Sequence, residues 1–481
     1  MCLSAQESKK IRILNSDQII SNNIQHPEYW RMKGNVIFSH DGSTMYCDSA
    51  HHYKNEEKIQ AFSNVRIIQE DSVNIFGEKL IYFGKKSMAK ISGKVKLIEK
   101  HSTLETKEVN FYLNKNIAYY NQTGKITDKE KIIYSKKGYY HTQKNIFYFQ
   151  DSVRVIGLDY MIDTDTMNYH TNTEIAYFFG PSEIISNNNI IYCENGWYNT
   201  ETDIAQFRQN AYILHQDYLL KGDSLYYNKD INYGKAFSNV VMLDTIQNIY
   251  VLGQKAEYFG EEEKTIITNK PLLQVVSEND TLFMHAKKFI SHQKENEKKI
   301  LAYNKVKFFK SDLQGKCDSL SYNFSDSIVE LYDEPILWSD QLQITADSIK
   351  LLVFNNEIQN IFLKPKPMII SKEDTLDYNQ IKGREMVGYF TKNKLTSMDV
   401  IGNGESIFVV KNEEDQRKIG LNHTECTELT LYFKNSLTEV VYKVKPSSNT
   451  TPYKKIKEEN RYLNGFIWRI NERPQNKNDI Y

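Results

Sequence analysis

Apolar and polar side chains alternate with a period of two along most of the chain. A charged residue stands between two apolar residues in several short segments, among them Val65-Arg66-Ile67, Val95-Lys96-Leu97, Val153-Arg154-Val155 and Val306-Lys307-Phe308. Successive side chains of a strand point to opposite faces, so each segment has one apolar face and one hydrated face. Asn, Asp, Lys and Gly separate the segments, which is typical of tight turns. The pattern predicts a chain that is nearly all β.

These segments return at a nearly constant interval. Anchor residues at positions 36, 65, 95, 126, 153, 184, 212, 240, 272, 306, 336 and 368 lie 27–34 residues apart. Between them a second element recurs, as in Cys47-Asp48-Ser49-Ala50, Gly222-Asp223-Ser224-Leu225 and Cys317-Asp318-Ser319-Leu320. A fixed period of 20–50 residues indicates a repeat array, in which stacked units bury a common core. Each period is predicted to hold two to three short strands.

The composition agrees with strands and excludes several classes of protein. Tyr and Phe are frequent, at 33 and 23 residues, and aromatic residues favour β-structure. Lys and Arg together number 61, as do Asp and Glu, so the chain lacks the basic excess of a nucleic-acid binder. No run approaches the roughly 18 apolar residues of a membrane-spanning helix. The five cysteines have no Cys-x-x-Cys spacing, so we expect free, mostly buried thiols and no metal.

The repeat resembles a known family. Gly34-Asn35-Val36, Cys47-Asp48-Ser49-Ala50 and Ala61-Phe62-Ser63-Asn64-Val65 are similar to the OstA/LptA-like repeat of lipopolysaccharide transport proteins, most clearly over residues 34–260. The long form is similar to the OstA-like proteins of Bacteroidetes-type bacteria. The resemblance implies an elongated β-jellyroll, or β-taco, with two facing antiparallel sheets built from repeats of about 30 residues. It also implies head-to-tail joining of jellyrolls through edge strands.

The two termini of the chain bear on its division into regions and on its expected cellular location. Residues 1–10 are expected to be a remnant of a signal region or disordered, because Leu3-Ser4-Ala5 looks like the end of a truncated signal peptide. OstA-like repeats are predicted over 11–260, with more divergent ones continuous with them over 261–445. A polar C-terminal tail is predicted over 446–481. We expect a periplasmic location, with the signal peptide missing or truncated.

The predicted binding site is a lipid surface rather than a catalytic centre. A surface of apolar side chains from one face of each strand binds an acyl chain through buried area. The candidates are Val36, Phe38, Val65, Ile67, Val95, Leu97, Val153, Val155, Val240, Met242, Val306 and Phe308. The same alternation also describes a closed core between two sheets. His51 and His52 point to opposite faces of a strand, so they are poorly placed to bind one metal ion. No metal site, cofactor or catalytic residue is predicted.

The expected function is therefore non-enzymatic carriage of lipopolysaccharide across the periplasm for outer-membrane assembly. The resemblance places the acyl chains between the two sheets. The expected partners are lipopolysaccharide or lipid A and other lipopolysaccharide transport proteins, with no nucleic acid and no transmembrane segment. Two alternatives stay open: a carbohydrate-active or adhesive β-solenoid, and a structural scaffold of the envelope without bound lipid.

Overall fold

The computed structural model describes residues 10–481 except 23, 70–72, 100–101, 187–188, 216, 278–279, 295–296, 355–356 and 435–436. The signal remnant predicted for the first ten residues thus lies, apart from residue 10, outside the described residues. The chain is nearly all antiparallel β, and the predicted β-jellyroll is confirmed. It divides into two compact units. Unit 1 is Met1–Gln216 with Asp223–Asp230, and unit 2 is Asp217–Gly222 with Ile231–Tyr481. The predicted division at residues 260 and 261 lies inside unit 2.

The strands of unit 1 are mostly long and follow one another as hairpins. They are β1 (Arg12–Asn15), β2 (Gln18–Asn22), β3 (His26–His40), β4 (Ser43–Tyr53), β5 (Lys58–Gln69), β6 (Val73–Phe83), β7 (Met88–Glu99), β8 (Ser102–Tyr112), β9 (Ile117–Tyr120), β10 (Gly124–Asp128), β11 (Lys131–Ser135), β12 (Lys137–His141), β13 (Ile146–Ile156), β14 (Tyr160–His170), β15 (Ile175–Ser186), β16 (Asn189–Asn199) and β17 (Ile204–His215). Residues of β18 (Tyr218–Asn228) belong to both units. Short 3-10 helices span Gly84–Lys86 and Leu113–Lys115.

Unit 2 has more short strands. They are β19 (Tyr233–Asp244), β20 (Ile249–Phe259), β21 (Lys264–Thr268), β22 (Leu272–Val276), β23 (Thr281–His285), β24 (Lys288–His292), β25 (Lys299–Phe309), β26 (Gln314–Asn323), β27 (Ile328–Tyr332), β28 (Ile336–Ser339), β29 (Leu342–Thr345), β30 (Ser348–Phe354), β31 (Glu357–Lys364), β32 (Met368–Lys372), β33 (Tyr378–Lys382), β34 (Glu385–Thr391), β35 (Lys394–Lys411), β36 (Lys418–Phe433), β37 (Leu437–Lys443) and β38 (Ser447–Pro452). Short 3-10 helices follow at Tyr453–Lys455, Glu458–Asn460 and Ile470–Glu472.

Alternate long strands carry a bulge near their middle, where the pairing register with the neighbouring strands shifts. In β5 the bulge is Ser63-Asn64, where both residues have positive φ, 61° and 48°, and the register with β6 jumps from Phe62 to Val65. Left-handed backbone is costly for most residues and cheapest for Gly and Asn, which accounts for the Asn before the anchors at 36, 65 and 240. In the regular part of unit 1, as in β5 and β6, one period is a hairpin of two strands, which is within the predicted two to three, but the strands are long rather than short.

The bends divide the strands of each unit between two layers. We call layer A of unit 1 the strand halves 36–40, 43–47, 65–69, 73–76, 95–99, 102–106, 124–128, 131–135, 153–156, 160–164, 182–186, 189–193 and 211–215. Layer B is formed by the halves on the other side of the bulges, such as 49–53, 58–62 and 79–83. Along β4 the side chains alternate between buried and partly exposed, and the buried ones include Met45, Cys47 and Ala50. One apolar face of each layer therefore forms the interior.

In unit 2 part of layer A is buried on both faces. The corresponding halves there include 306–309, 314–317, 336–339, 342–345, 368–372 and 378–382. The consecutive residues Ile336, Leu337 and Trp338 are all at most 1% exposed. Their outer face is covered because residues 453–481, the C-terminal segment, lie across it.

Buried glutamine side chains hold the C-terminal segment. Gln343 Nε2 donates to the carbonyl of Ile467 at 2.7 Å, and its Oε1 accepts from the backbone N–H of Arg469 at 2.7 Å. Gln380 makes the same pair of bonds with the carbonyl of Arg461 and the N–H of Leu463, both at 2.8 Å. Both glutamine side chains are fully buried. They satisfy backbone groups of a segment that runs across the strands instead of pairing with one and that turns at Asn464-Gly465.

Ion pairs and apolar contacts complete this packing. The buried carboxylate of Asp377 accepts from Arg461 Nη1 at 2.5 Å and from Lys418 Nζ at 2.6 Å. Leu463 packs with Met368 and Ile370 in a buried cluster. The region predicted as a polar tail, 446–481, thus contains β38 and a segment that is packed on unit 2.

Candidate functional site

The twelve predicted lipid-binding residues lie on the inner faces of the two units. Eleven of them are 0–5% exposed, and Met242 is partly exposed. At these eleven positions water does not reach the interior, and the layers pack as the two sheets of a sandwich do. That these residues line a lipid site stays a prediction.

Polar contacts join the tips of the two layers in unit 1. His40 Nδ1, at the tip of layer A, lies 2.5 Å from the hydroxyl of Tyr82 in layer B. The hydroxyl of Tyr169 donates to Asp128 Oδ2 at 3.2 Å, and Asp128 also accepts from Ser102 Oγ at 3.0 Å. Burial raises the pKa of Tyr82 and Tyr169, so both stay neutral. We call these and the next pairs the tip contacts.

Lysine contacts continue the tip contacts towards β16. Lys131 Nζ donates to Thr200 Oγ1 at 2.6 Å and lies 3.7 Å from Glu174 Oε2. Lys129 also pairs with Glu174. Burial lowers the pKa of Lys131. On layer A the tip contacts run from His40 of β3 to Lys131 of β11, and they close the open side of the layers there, opposite the bends.

The interior of unit 1 is more open along β15, β16 and β17. Ile184, Ile191 and Ile213 are register partners on the inner face, and each is partly exposed. Their neighbour in the same row, Ile162, is only 1% exposed. Position 184 is an anchor of the sequence repeat, but these three residues are not among the twelve binding candidates. The signal was present, since Ile184-Ile185 and Ile190-Ile191 are apolar on both faces.

The two recurring sequence elements meet at the bulges. Asn64 Nδ2 donates to Asp48 Oδ2 at 2.8 Å, which links the bulge of β5 to the neighbouring strand β4. Asn35 bonds Asp17 in the same way at 3.1 Å, and so does Asn210 with Glu194 at 2.8 Å. The recurring carboxylates therefore hold the bends, a structural role that accounts for their spacing.

The described thiols and acidic clusters offer little chemistry. Cys47, Cys193, Cys317 and Cys426 are free and buried, as predicted, while Cys2 lies outside the described residues. Burial raises the pKa of Cys47 to about 12, which suppresses the nucleophilic thiolate. Glu405, His423 and Glu425 lie close together, but Glu405 is already paired with His423 and Lys382. Such an arrangement is an ion-pair network on the sheet surface.

Comparison with known proteins relates part of the chain to a family. The family described as OstA-like protein matches residues 8–165 and 159–223, which lie almost wholly in unit 1. No curated protein matches the chain. Within the described residues, no helix is long and apolar enough to cross a membrane.

Proposed function

We propose that this chain, whose residues 8–223 match the family described as OstA-like protein, binds lipopolysaccharide and carries it across the periplasm without catalysis. The acyl chains bind between the two layers of the jellyroll. The observation that carries the proposal is the long apolar interior, which is partly open to solvent at Ile184, Ile191 and Ile213.

The interior supplies the binding energy that an acyl chain needs. Each methylene group that leaves water contributes about 0.8 kcal/mol. A row of inner-face side chains runs from Ile133 through Val155 and Ile162 to Ile184 and beyond, without a charged residue. An acyl chain that enters beside Ile191 contacts this row first. Further penetration separates the layers and breaks tip contacts such as that of Tyr169 with Asp128.

Free strand edges support assembly with other transport proteins. β1 and β2 pair with β3, and no other strand in the described part of unit 1 pairs with them. In unit 2, β37 and β38 each pair with β36 alone among the described strands. Such edges present unpaired N–H and C=O groups to a partner strand. We propose that neighbouring components of the transport path join there.

A second candidate function is a scaffold of the envelope without bound lipid. It is favoured by the near-complete burial of residues such as Val36 and Val95, which is what a packed core requires. The two candidates differ in whether the interior beside β15 and β16 ever holds a lipid.

Adjacent isoleucines give a sharp test. A photo-crosslinking amino acid, benzoyl-phenylalanine, is placed at Ile184 or Ile191 on the inner face, or at Ile185 or Ile190 on the outer face of the same strands. The protein is expressed in an envelope that contains lipopolysaccharide, irradiated and analysed with an antibody against lipid A. We expect adducts at 184 and 191 and none at 185 and 190.

The controls Ile185 and Ile190 each lie one residue from a test position on the same strand. Substitution at control and test positions is therefore expected to affect expression and local stability equally. Equal labelling on both faces contradicts binding between the layers. The absence of adducts at all four positions in a folded protein favours the scaffold.

A further inference from the structure

The outer face of layer A in unit 1 carries a depression that shares Val153 with the twelve lipid-binding candidates. Its volume is about 910 Å³, within the range of ligand sites. Six of its side chains form one row across neighbouring strands, in the order Tyr134, Arg154, Asp163, Glu183, Tyr192 and Tyr212. At about 4.8 Å per strand, the row is about 24 Å long.

Tyrosine rings stand at both ends of this row. Tyr134 lies at one end, and Tyr192 and Tyr212 stack at the other with ring centroids 5.3 Å apart and an angle of 16° between the rings. The stacking with Tyr212 restricts the ring of Tyr192, which is the register partner of Glu183. All three rings are partly exposed. They offer flat, apolar and electron-rich surfaces to a ligand.

Three carboxylates and one arginine lie between the tyrosine rings. Arg154 binds Asp163 through two bonds, from Nε to Oδ1 at 2.6 Å and from Nη2 to Oδ2 at 2.9 Å. Glu183 and Asp165 are exposed beside this pair. The depression therefore holds three carboxylates against one guanidinium, and it repels phosphates and other anions.

We propose that the depression is a binding site for a short neutral or amino-bearing oligosaccharide. The carboxylate of Glu183 accepts hydrogen bonds from sugar hydroxyls, and the ring of Tyr192 packs against the C–H face of a pyranose. The hydroxyl groups of Thr164 and Ser182, which bond each other at 2.7 Å, border the same space. Aromatic faces around a line of fixed acceptors match the alternating apolar faces and hydroxyl edges of sugars.

Unit 2 shows why a peptide fits this surface poorly. There the C-terminal segment lies on the outer face of layer A, and the buried Gln343 and Gln380 satisfy part of its backbone. On the outer face of unit 1 the neighbouring row is apolar and includes Ile156, Met161 and Ile185. A bound peptide would leave its backbone groups without partners, which costs free energy. A sugar can turn its hydroxyl edge towards the carboxylates and its C–H face towards apolar side chains.

The test uses acyl-free sugars, so it is independent of lipid binding. Neutral and amino-bearing oligosaccharides of two to five units, and uronic acid oligosaccharides of equal length, are titrated into the full chain by calorimetry and by NMR. We expect saturable binding of the neutral or amino-bearing sugars. Tyr192→Ala is expected to lower the affinity at least about tenfold, and Glu183→Gln about threefold.

A matched control is available on layer B. Tyr139 and Tyr148 form another stacked pair of outer-face tyrosines, with centroids 4.4 Å apart, and they lie outside the depression. Tyr148→Ala removes the same ring and is expected to leave the affinity within about twofold of the unchanged protein. Absence of binding by every neutral and amino-bearing sugar, an equal loss in both tyrosine variants, or tighter binding of uronic acids overturns the proposal. Lipid crosslinking at Ile184 remains interpretable in each of these cases.

Discussion

Asn64 donates a hydrogen bond to Asp48 across two neighbouring strands, with 2.8 Å between Nδ2 and Oδ2. The two residues belong to different elements of the sequence repeat, and the contact lies where β5 bends from layer B into layer A. Asn64 also has a φ of 48°, a backbone conformation that asparagine tolerates well. One residue thus supplies both the bend and the bond that fixes it.

Replacing Asn64 separates these two contributions. Asn64→Ala loses the bond to Asp48 and strains the left-handed backbone, so we expect it to lower the free energy of unfolding by about 2 kcal/mol. Asn64→Gly loses only the bond and is expected to cost about half as much. Urea unfolding followed by circular dichroism measures both. If the glycine variant is as unstable as the alanine variant, backbone strain plays no part.

Val95 and Lys96 test the assignment of inner and outer faces. Val95 is 1% exposed, so Val95→Asp places an unpaired charge in the interior and is expected to destabilise unit 1 by at least about 3 kcal/mol. Lys96 lies on the outer face and pairs with Glu105 at 2.8 Å. Lys96→Ala is expected to cost less than about 1 kcal/mol. Similar thermal unfolding of the two variants would place Val95 on an accessible surface.

Gln343→Ala tests the attachment of the C-terminal segment. It leaves the carbonyl of Ile467 and the N–H of Arg469 without their partner, at a cost of about 1–3 kcal/mol for each buried group. Hydrogen exchange at residues 461–473 is expected to accelerate, with little change in unit 1. The control Gln206→Ala removes a half-buried glutamine of unit 1 that donates to Ser224. Unchanged exchange in the Gln343 variant would show that other contacts hold the segment.

The same segment is expected to loosen in acid. Hydrogen bonds from Arg469 and Lys316 lower the pKa of Glu472 from 4.5 to about 2. A carboxylate with a lowered pKa contributes stability above its ordinary pKa, and the contribution is lost as the pH falls from about 4.5 towards 2. Cleavage of the segment by pepsin is expected to accelerate over that interval.

Glu472→Gln gives the reference for the pH experiment, because it cannot ionise. Other carboxylates in the segment's contacts also titrate, so the difference between the two proteins isolates Glu472. Parallel pH curves for the two proteins would contradict a role for this carboxylate.

The alternation of side chains carried most of the fold prediction. The inner position of Val65 and Ile67 and the outer position of Arg66 follow from a period of two, because a strand has only two faces. The bulges were harder to predict. Two consecutive left-handed residues such as Ser63 and Asn64 have no signature in the pattern of apolar and polar residues. They join two short segments of that pattern into one bent strand.

The candidate sites depended more on contacts between distant residues. Ile184 and Ile191 were visible as apolar residues, but their exposure depends on how the layer tips meet. The row from Tyr134 to Tyr212 joins residues from six strands, and no local pattern marks it. Register between distant strands decides such rows.

The sequence by itself determined the all-β class, the repeat near 30 residues and the face on which each anchor lies, because these are local consequences of side-chain alternation. Only the tertiary structure decided where the interior is closed and what covers layer A. Tyr169 meets Asp128 from 41 residues away, and Gln343 meets Arg469 from 126 residues away. The polar C-terminal residues predict a solvated tail when the sequence is considered alone. In the folded chain, buried side chains such as Gln343 satisfy their backbone groups, and these partners become adjacent only on folding.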